Sequence, residues 1–299
     1  MSPAENPLVR AGTILIGLLV LLAVAAPVLT RIHVLREPVQ QDQNGLDEDG
    51  MPRPPGGPYL LGTDNLGRDV LSRVIHGTRV SLTIGVAAML TATILGVTVG
   101  LIAGFYGRKL DLGLMRFTEM SMTIPGILLA VAFAGVMDGR IVHLHPSGLA
   151  WHFLDVELKR GMVSLFLIIG IVCWPGMVRV VRAQVLALKE REFVEAAKAI
   201  GCSDLRIIFR HILPNSLAPI IVAGTLGMAG AILTESALSF LGLGVQPPTP
   251  SWGNMLMDSQ TYLLDAPWMA VIPGLFIVLS VLSLYFVGEA LRERLNPKE

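Results

Sequence analysis

The sequence predicts an all-α integral membrane protein with six transmembrane helices. Of the 299 residues, 53% are hydrophobic and 15% are charged, and the mean hydropathy is +0.63. Soluble domains are far more polar. Six stretches are also apolar over about 20 residues, the length that a helix needs to cross the hydrocarbon core of a bilayer. They are 11–29, 80–105, 117–137, 162–181, 216–241 and 268–287.

The spacing of these stretches divides the chain into four parts. Residues 1–30 form a short cytosolic tail and the first transmembrane helix. Ala23-Val24-Ala25 could be a signal-peptide cleavage site, but the apolar run is long for a signal peptide, so we predict a retained helix. Residues 31–79 form an extracytoplasmic loop, 80–290 form the membrane core, and 291–299 form a second cytosolic tail.

The distribution of Lys and Arg indicates the orientation. If the N-terminus lies in the cytosol, the cytosolic segments hold 14 of the 23 basic residues. Most of the others lie in the long first loop, where the positive-inside rule is weak. The sequence therefore predicts that both termini and the polar segment at 190–215 face the cytosol.

The first loop is polar and acidic, and then rich in proline and glycine, so we expect little regular structure up to Leu60. Asp47-Glu48-Asp49 lacks the alternating oxygen ligands of a calcium loop, which favours a solvated loop over a metal site. Residues 61–77 then carry apolar positions at helical spacing. We predict a short amphipathic helix there, started by Thr63 or Asp64. Asp64 with Arg68 and Asp69 with Arg73 have the four-residue spacing of helical ion pairs, and these charges either face solvent or contact a substrate or partner.

The segment at 190–215 predicts a helix, a tight turn and a second helix. Apolar residues at 193, 194, 197 and 200 fall near one side of the first helix. Gly201 stands where a helix end requires positive φ. Pro214 should stop the second helix, and Asn215 or Ser216 should cap the next membrane helix. We call residues 190–215 the elbow. Because it is partly apolar, we expect it to fit a groove on another protein.

Two residues beyond the elbow are candidates for a translocation path or gate. Glu235 lies about 19 residues into the fifth apolar stretch, near its outer end by the rise of about 1.5 Å per residue. It could line the entry for a substrate, pair with a basic group on a partner, or face water. Trp252 follows a proline-rich external loop and reads as an aromatic anchor at the interface.

Several kinds of chemistry are disfavoured by the sequence. The 23 basic and 23 acidic residues balance, so nothing indicates binding to nucleic acid. Cys173 and Cys202 lie in segments of different environment, which argues against a disulfide. No Gly-x-x-x-x-Gly-Lys-Ser/Thr sequence is present, so any ATP must be hydrolysed by a partner. We predict no catalytic residue, metal site or cofactor in this chain.

Four segments carry a resemblance to a known family. Glu195-Ala196-Ala197, followed by Gly201 and His211-Ile212-Leu213-Pro214-Asn215, is similar to the signature loop of the membrane subunits of binding-protein-dependent ATP-binding-cassette importers. The segments 61–82, 111–125 and 238–255 resemble the C-type permease subunit of the dipeptide, oligopeptide and nickel branch, although Glu119 stands where that family more often has Asp. The resemblance covers 61–299 and implies the type I importer permease fold.

The resemblance also implies a mechanism and partners. The elbow would be a coupling loop whose contact with an ATPase subunit involves Phe193, Ile200, Pro214 and the signature residues Glu195, Ala196, Ala197 and Gly201. The chain would form half of a path for di- or oligopeptides in the bacterial inner membrane. Its partners would be membrane lipid, a homologous B-type permease, two ATPase subunits or domains that bind ATP and Mg, and an extracytoplasmic peptide-binding protein.

Three alternatives stay open. A nickel or other small-solute importer of the same branch is one, because His143, His145 and His152 could bind metal, yet that loop has no cysteine and no repeat of the pattern. An ion-coupled secondary transporter is another, but it predicts inverted repeats and several ionisable residues at mid-membrane, and neither is clear. A structural scaffold would leave the elbow without purpose.

Overall fold

The structure is a computed structural model that describes residues 7–137 and 162–295. The described residues form ten α-helices joined by turns and irregular loops, which confirms the predicted all-α class. The helices, numbered in chain order, are α1 Pro7–Arg31, α2 Val70–Tyr106, α3 Arg108–Thr123, α4 Gly126–Met137, α5 Met162–Leu188, α6 Glu192–Ala199, α7 Asp204–Ile207, α8 Leu213–Phe240, α9 Trp252–Asp258 and α10 Trp268–Leu295.

Among the described residues, five helices are long and apolar enough to cross a membrane. A sixth span is obtained if α3 and α4, which meet at an angle of 85°, are counted together. The bend lies at Pro125, and Ile124 before it has an extended backbone (φ −90°, ψ 128°). Proline disfavours the helical conformation in the preceding residue, which explains why the third predicted span is broken here. By contrast, α5 and α10 run through Pro175 and Pro273 without a break.

Helix α2 packs closely against α5 through a row of glycines. A Cβ atom on Gly96 would lie 2.5 Å from Cβ of Met177, and one on Gly100 would lie 2.7 Å from Cβ of Val181. Such distances leave no room for any side chain, so the two backbones approach as in other small-residue contacts between membrane helices. Val178, Val181 and Val185 on the facing side of α5 are fully buried.

The predicted amphipathic helix in the loop at 31–79 is wrong. Residues 61–69 are irregular, and α2 begins at Val70, so 70–79 belong to the membrane core. Asp69, which the sequence placed inside the helix, is its N-cap and accepts a hydrogen bond of 2.9 Å from the Ser72 amide. The helical spacing of the apolar residues is real, but Val70 and Val74 bury their side chains in the core instead of facing a membrane surface.

Residues 32–60 mostly lack regular structure, as predicted, but side-chain hydrogen bonds order them. The Asp42 carboxylate accepts from the Tyr59 hydroxyl at 2.7 Å, from Arg36 at 2.9 Å and from the Asn44 amide at 2.9 Å. The Arg36 guanidinium also lies 4.7 Å from the centre of the Tyr59 ring. These contacts join residues that are far apart in the loop.

The order of this loop should depend on pH. The hydrogen bond from Tyr59, the Asn44 amide and Arg36 together lower the pKa of Asp42 below its ordinary value. A lowered folded-state pKa means that the contribution to stability is present above the ordinary value of about 3.9 and is lost as the pH falls through the folded-state pKa. Amide protection factors at Asn44 should therefore drop on acidification below about pH 4.

The matched control is Asp42→Asn, which cannot titrate. Its protection at Asn44 should be low at neutral pH and should change little on acidification. Equal acid sensitivity of the parent and Asp42→Asn would show that another group controls the loop.

Candidate functional site

The elbow has the predicted helix, turn and helix. It begins with α6, turns through Gly201 and continues into α7. The Gly201 amide donates to the Lys198 carbonyl at 3.0 Å, and the Cys202 amide donates to the Ala197 carbonyl at 3.0 Å. This pair of bonds is the Schellman motif, which requires a left-handed residue after the helix. Gly201 provides it, with φ +81°.

Replacing Gly201 with valine should strain this turn without overfilling it. No atom lies within 4 Å of the position that a Cβ would take, so the cost comes from backbone conformation alone. That cost is about 1–2 kcal/mol for an L-residue and more for a β-branched one. Exchange of the Cys202 amide proton should accelerate by about 5- to 30-fold.

Gly201→Asn is the control for that substitution, because asparagine tolerates positive φ. It should keep exchange at Cys202 within about threefold of the parent. Equal acceleration in the valine and asparagine variants would show that the conformation of residue 201 does not hold the turn.

The two sides of the elbow differ in exposure. Val194 is fully buried and Ala197 is 4% exposed, and both pack on the chain's own Ile207, Ile208 and Ile212. Four large apolar side chains instead face outward. They are Phe193 at 41% exposure, Ile200 at 80%, Leu205 at 64% and Phe209 at 61%. We call these four the elbow apolar surface; its second half, on 205 and 209, was not identified in the sequence.

The signature residues are therefore divided between the two sides. Glu195, Ala196 and Gly201 are exposed beside the elbow apolar surface. Ala197 faces inward, so its small side chain lets α6 approach the chain's own core, and it does not lie on the outer surface. The sequence placed Phe193, Val194, Ala197 and Ile200 on one side, whereas the structure separates the two buried residues from the two exposed ones.

The predicted stop at Pro214 is wrong. Residues 204–240 form one continuous helix of 37 residues. A π-helical turn, Ile208–Ile212, lies directly before the proline, and the Leu213 amide donates to the Ile208 carbonyl five residues earlier. Proline has no N–H for the usual helical bond, and the wider turn accommodates that loss. Asn215 and Ser216 are not caps, because their side chains donate back to the His211 and Ile212 carbonyls.

Glu235 neither lines an open surface nor faces water in this chain, because its side chain is fully buried. One carboxylate oxygen accepts from Ser239 at 2.7 Å, and the other accepts from Ser81 of α2 at 3.1 Å and from Ser236 at 3.4 Å. Serine hydroxyls thus satisfy both oxygens.

Trp252 is also fully buried, so the predicted interface anchor is wrong. Its ring nitrogen donates to the Val74 carbonyl at 3.3 Å, and its backbone amide donates to the Ser81 hydroxyl at 3.3 Å. A tryptophan after a polar loop is compatible with either an interface or a core position. The long-range packing of α9 on α2 decides between them.

A buried charge cluster joins the loop, α2 and α9. Arg68 donates to Asp64 at 2.6 Å and to Asp258 at 3.1 Å, and Arg73 lies 3.2 Å from Asp64 and 3.3 Å from Asp258. Burial raises the pKa of the Asp258 carboxyl, although Arg73 and Arg68 oppose this shift. The sequence indicated the pair of Asp64 with Arg68, but not its burial or Asp258.

The sequence also offered residues for metal or redox chemistry. His143, His145 and His152 lie outside the described residues. Within 7–137 and 162–295, no three His, Cys, Asp or Glu side chains are grouped so that they could hold a metal ion. Cys173 and Cys202 are both free thiols in the structure.

Sequence relatives agree with the resemblance stated above. The chain is 40% identical over 294 residues to the dipeptide transport system permease protein DppC of Alkalihalophilus pseudofirmus, covering 98% of this chain and 87% of that one. It is 35% identical over 294 residues to the oligopeptide transport system permease protein OppC of Bacillus subtilis, with the same two coverages of 98% and 87%.

The fold is also that of solved importer subunits. A chain of the MetNI methionine ABC transporter in an inward-facing conformation matches with a TM-score of 0.55 and 17% identity, over 76% of this chain and 97% of that one. Residues 96–298 match the family model described as the inner membrane component of binding-protein-dependent transport systems. The chain therefore belongs to the family of binding-protein-dependent inner membrane transport components, and its fold is that of an ABC importer permease.

Proposed function

We propose that this chain is the C-type permease subunit of an ATP-driven importer of di- and oligopeptides. It forms half of the translocation path, and its elbow receives the motion of an ATPase subunit. The peptide substrate is supported by relatives whose names specify dipeptide and oligopeptide transport. The chain itself has no catalytic role in this proposal, and ATP and Mg bind to the ATPase subunits.

The observation that carries the coupling role is the elbow apolar surface. Ile200, the most exposed of its four members, has 80% of its surface accessible, whereas Val194 on the opposite side of α6 is fully buried. The buried side packs the elbow on the chain's own core. An exposed apolar surface on a helix that is packed in this way suits insertion into a groove of a partner protein.

The proposal includes an orientation and a set of partners. The elbow and both termini lie in the cytosol, which the distribution of basic residues supports. A B-type permease completes the path in the inner membrane, two ATPase subunits or domains dock from the cytosol, and a peptide-binding protein delivers substrate from the other side.

Reconstitution of the assembled transporter in lipid vesicles tests this function. A dipeptide delivered by its binding protein should accumulate only with ATP, and it should stimulate ATP hydrolysis. Uptake that survives ATP depletion but stops when an ion gradient is collapsed would identify a secondary transporter. ATP-dependent uptake of Ni²⁺ but not of peptides would instead assign the substrate to the nickel importers.

A further inference from the structure

Glu235 and its serine partners connect two helices. The buried carboxylate accepts hydrogen bonds from Ser239 and Ser236 on its own helix and from Ser81 on α2. Within the described residues, no Lys or Arg side chain donates a hydrogen bond to this carboxylate. Burying a carboxylate costs free energy unless hydrogen bonds compensate for the lost water. The three serine hydroxyls provide such hydrogen bonds. We call Glu235, Ser81, Ser236 and Ser239 the carboxylate cluster.

The carboxylate cluster also holds the segment between α8 and α9. The Ser239 hydroxyl accepts from the Val245 amide at 3.2 Å, and the Ser81 hydroxyl accepts from the Trp252 amide at 3.3 Å. A serine hydroxyl has one proton and two lone pairs. When its proton goes to Glu235, a lone pair is free for the backbone amide. Glu235 therefore orients two hydroxyls that fix residues 245 and 252.

This segment lies directly on the backbone of α8. A Cβ atom on Gly253 would lie 2.6 Å from Cβ of Ser239 and 2.7 Å from Cα of Ser236. Trp252 fills the adjacent space on α2 and is fully buried. Trp252 and Gly253 are the first residues of α9, so the end of the segment and the start of α9 are in direct contact with α8.

The elbow and the carboxylate cluster share one helix. Residues 204–240 are continuous over 37 residues, a length of about 55 Å at about 1.5 Å per residue. Leu205 and Phe209 of the elbow apolar surface lie in its first turns, and Glu235 lies in its last turns. No break separates these two ends, so the helix connects the elbow to the carboxylate cluster directly.

We propose that Glu235 is a positioning residue for transport, which ties α8 to α2 and to residues 245–252 so that movement of the elbow reaches the opposite end of the bundle. This inference rests on the proposed function. It assigns Glu235 no contact with the substrate. Both oxygens of the Glu235 side chain accept hydrogen bonds from serines, whereas glutamine offers one acceptor oxygen and one donor group, so at least one serine would lose its acceptor.

The first test measures peptide molecules imported per ATP hydrolysed in vesicles that contain the whole transporter. Glu235→Gln should lower this ratio at least about fivefold, and Glu235→Leu should lower it further, because leucine removes all of the buried hydrogen bonds that the Glu235 side chain accepts. Ser81→Ala should behave like Glu235→Gln. The control is Thr234→Ala, which removes a neighbouring hydroxyl that bonds only to the Gly230 carbonyl of its own helix. This control should keep the parental ratio.

The second test measures local order without transport. Val245 is 3% exposed, so a cysteine placed there, with Cys173 and Cys202 replaced by alanine, should resist a water-soluble maleimide in the assembled transporter. Glu235→Gln should make the residue 245 thiol react at least about tenfold faster, because the Ser239 hydroxyl is released. Loss of protection with an unchanged import ratio would reduce Glu235 to a structural role and overturn the inference.

The two failures are distinguishable. If the parent transporter imports no peptide with ATP, the proposed function is wrong, whereas the labelling result still reports on the cluster. If the parent imports peptide and Glu235→Leu keeps both the parental ratio and the parental protection, the inference is wrong and the proposed function stands.

Discussion

The double variant Ile200→Glu and Phe209→Glu should lose its ATPase subunits while still inserting into the membrane. These side chains are 80% and 61% exposed, so charging them leaves the buried side of the elbow intact. Docking would then bury carboxylates in an apolar groove. An uncompensated buried charge costs about 3–5 kcal/mol, so affinity for the ATPase subunits should fall at least about a hundredfold. Titrated co-purification with the ATPase subunits measures this loss directly.

The control for this variant introduces the same charge elsewhere. Leu264 is 93% exposed and lies in the turn between α9 and α10, away from the elbow. Leu264→Glu should keep ATPase subunits with parental affinity. Parental affinity in the elbow variant, or an equal loss in both variants, would contradict docking through the elbow apolar surface.

The parts of the elbow that could be predicted are those set by neighbours in the sequence. A glycine after an amphipathic stretch indicates a left-handed helix end, and Gly201 has φ +81°. Helical spacing identified Phe193, Val194, Ala197 and Ile200 as a set. It did not separate the exposed residues from the buried ones, because only the contact of α6 with Ile207 and Ile212 decides which of its sides faces inward.

Residues whose role depends on distant partners could not be placed in advance. Arg73 stands four residues after Asp69, which suggested a local pair, yet it binds Asp258, 185 positions away. The sequence predicted Trp252 at a membrane interface, because its hydrogen-bond partner Val74 is 178 positions away and is not visible in the local sequence. A sequence reports the residue types available for such contacts. The packing of α9 on α2 determines which of them meet.

The effect of a proline on helix continuity also depends on its surroundings. Pro125 lies at an 85° bend, whereas Pro214 lies within a continuous helix. The π-helical turn before Pro214 changes the hydrogen-bond pairing in advance, and the helix continues through the proline. In the proposed mechanism, continuity at Pro214 is needed because the same helix carries Leu205 and Phe209 of the elbow apolar surface and Glu235 of the carboxylate cluster.

Removing one member of the buried charge cluster should destabilise the end of the bundle opposite the elbow. Asp258 accepts from Arg68 at 3.1 Å and from Arg73 at 3.3 Å, and the side chains of these arginines are only 6% and 3% exposed. Asp258→Ala leaves two guanidiniums with Asp64 as their remaining carboxylate. Breaking a buried pair in this way costs about 3–5 kcal/mol. Thermal unfolding of the purified transporter should therefore begin several degrees lower.

We predict that Asp258→Ala loses stability because it unbalances the charges of the cluster, and not because the aspartate side chain itself is missing. The double variant Arg73→Met and Asp258→Leu removes one charge of each sign and leaves the pair of Asp64 with Arg68 at 2.6 Å. It should recover most of the stability lost in Asp258→Ala, because apolar replacement of a buried ion pair is often neutral. Asp265→Ala, at an exposed aspartate in the following turn, should unfold like the parent. If the double variant is as unstable as Asp258→Ala, the cluster does not act through paired charges.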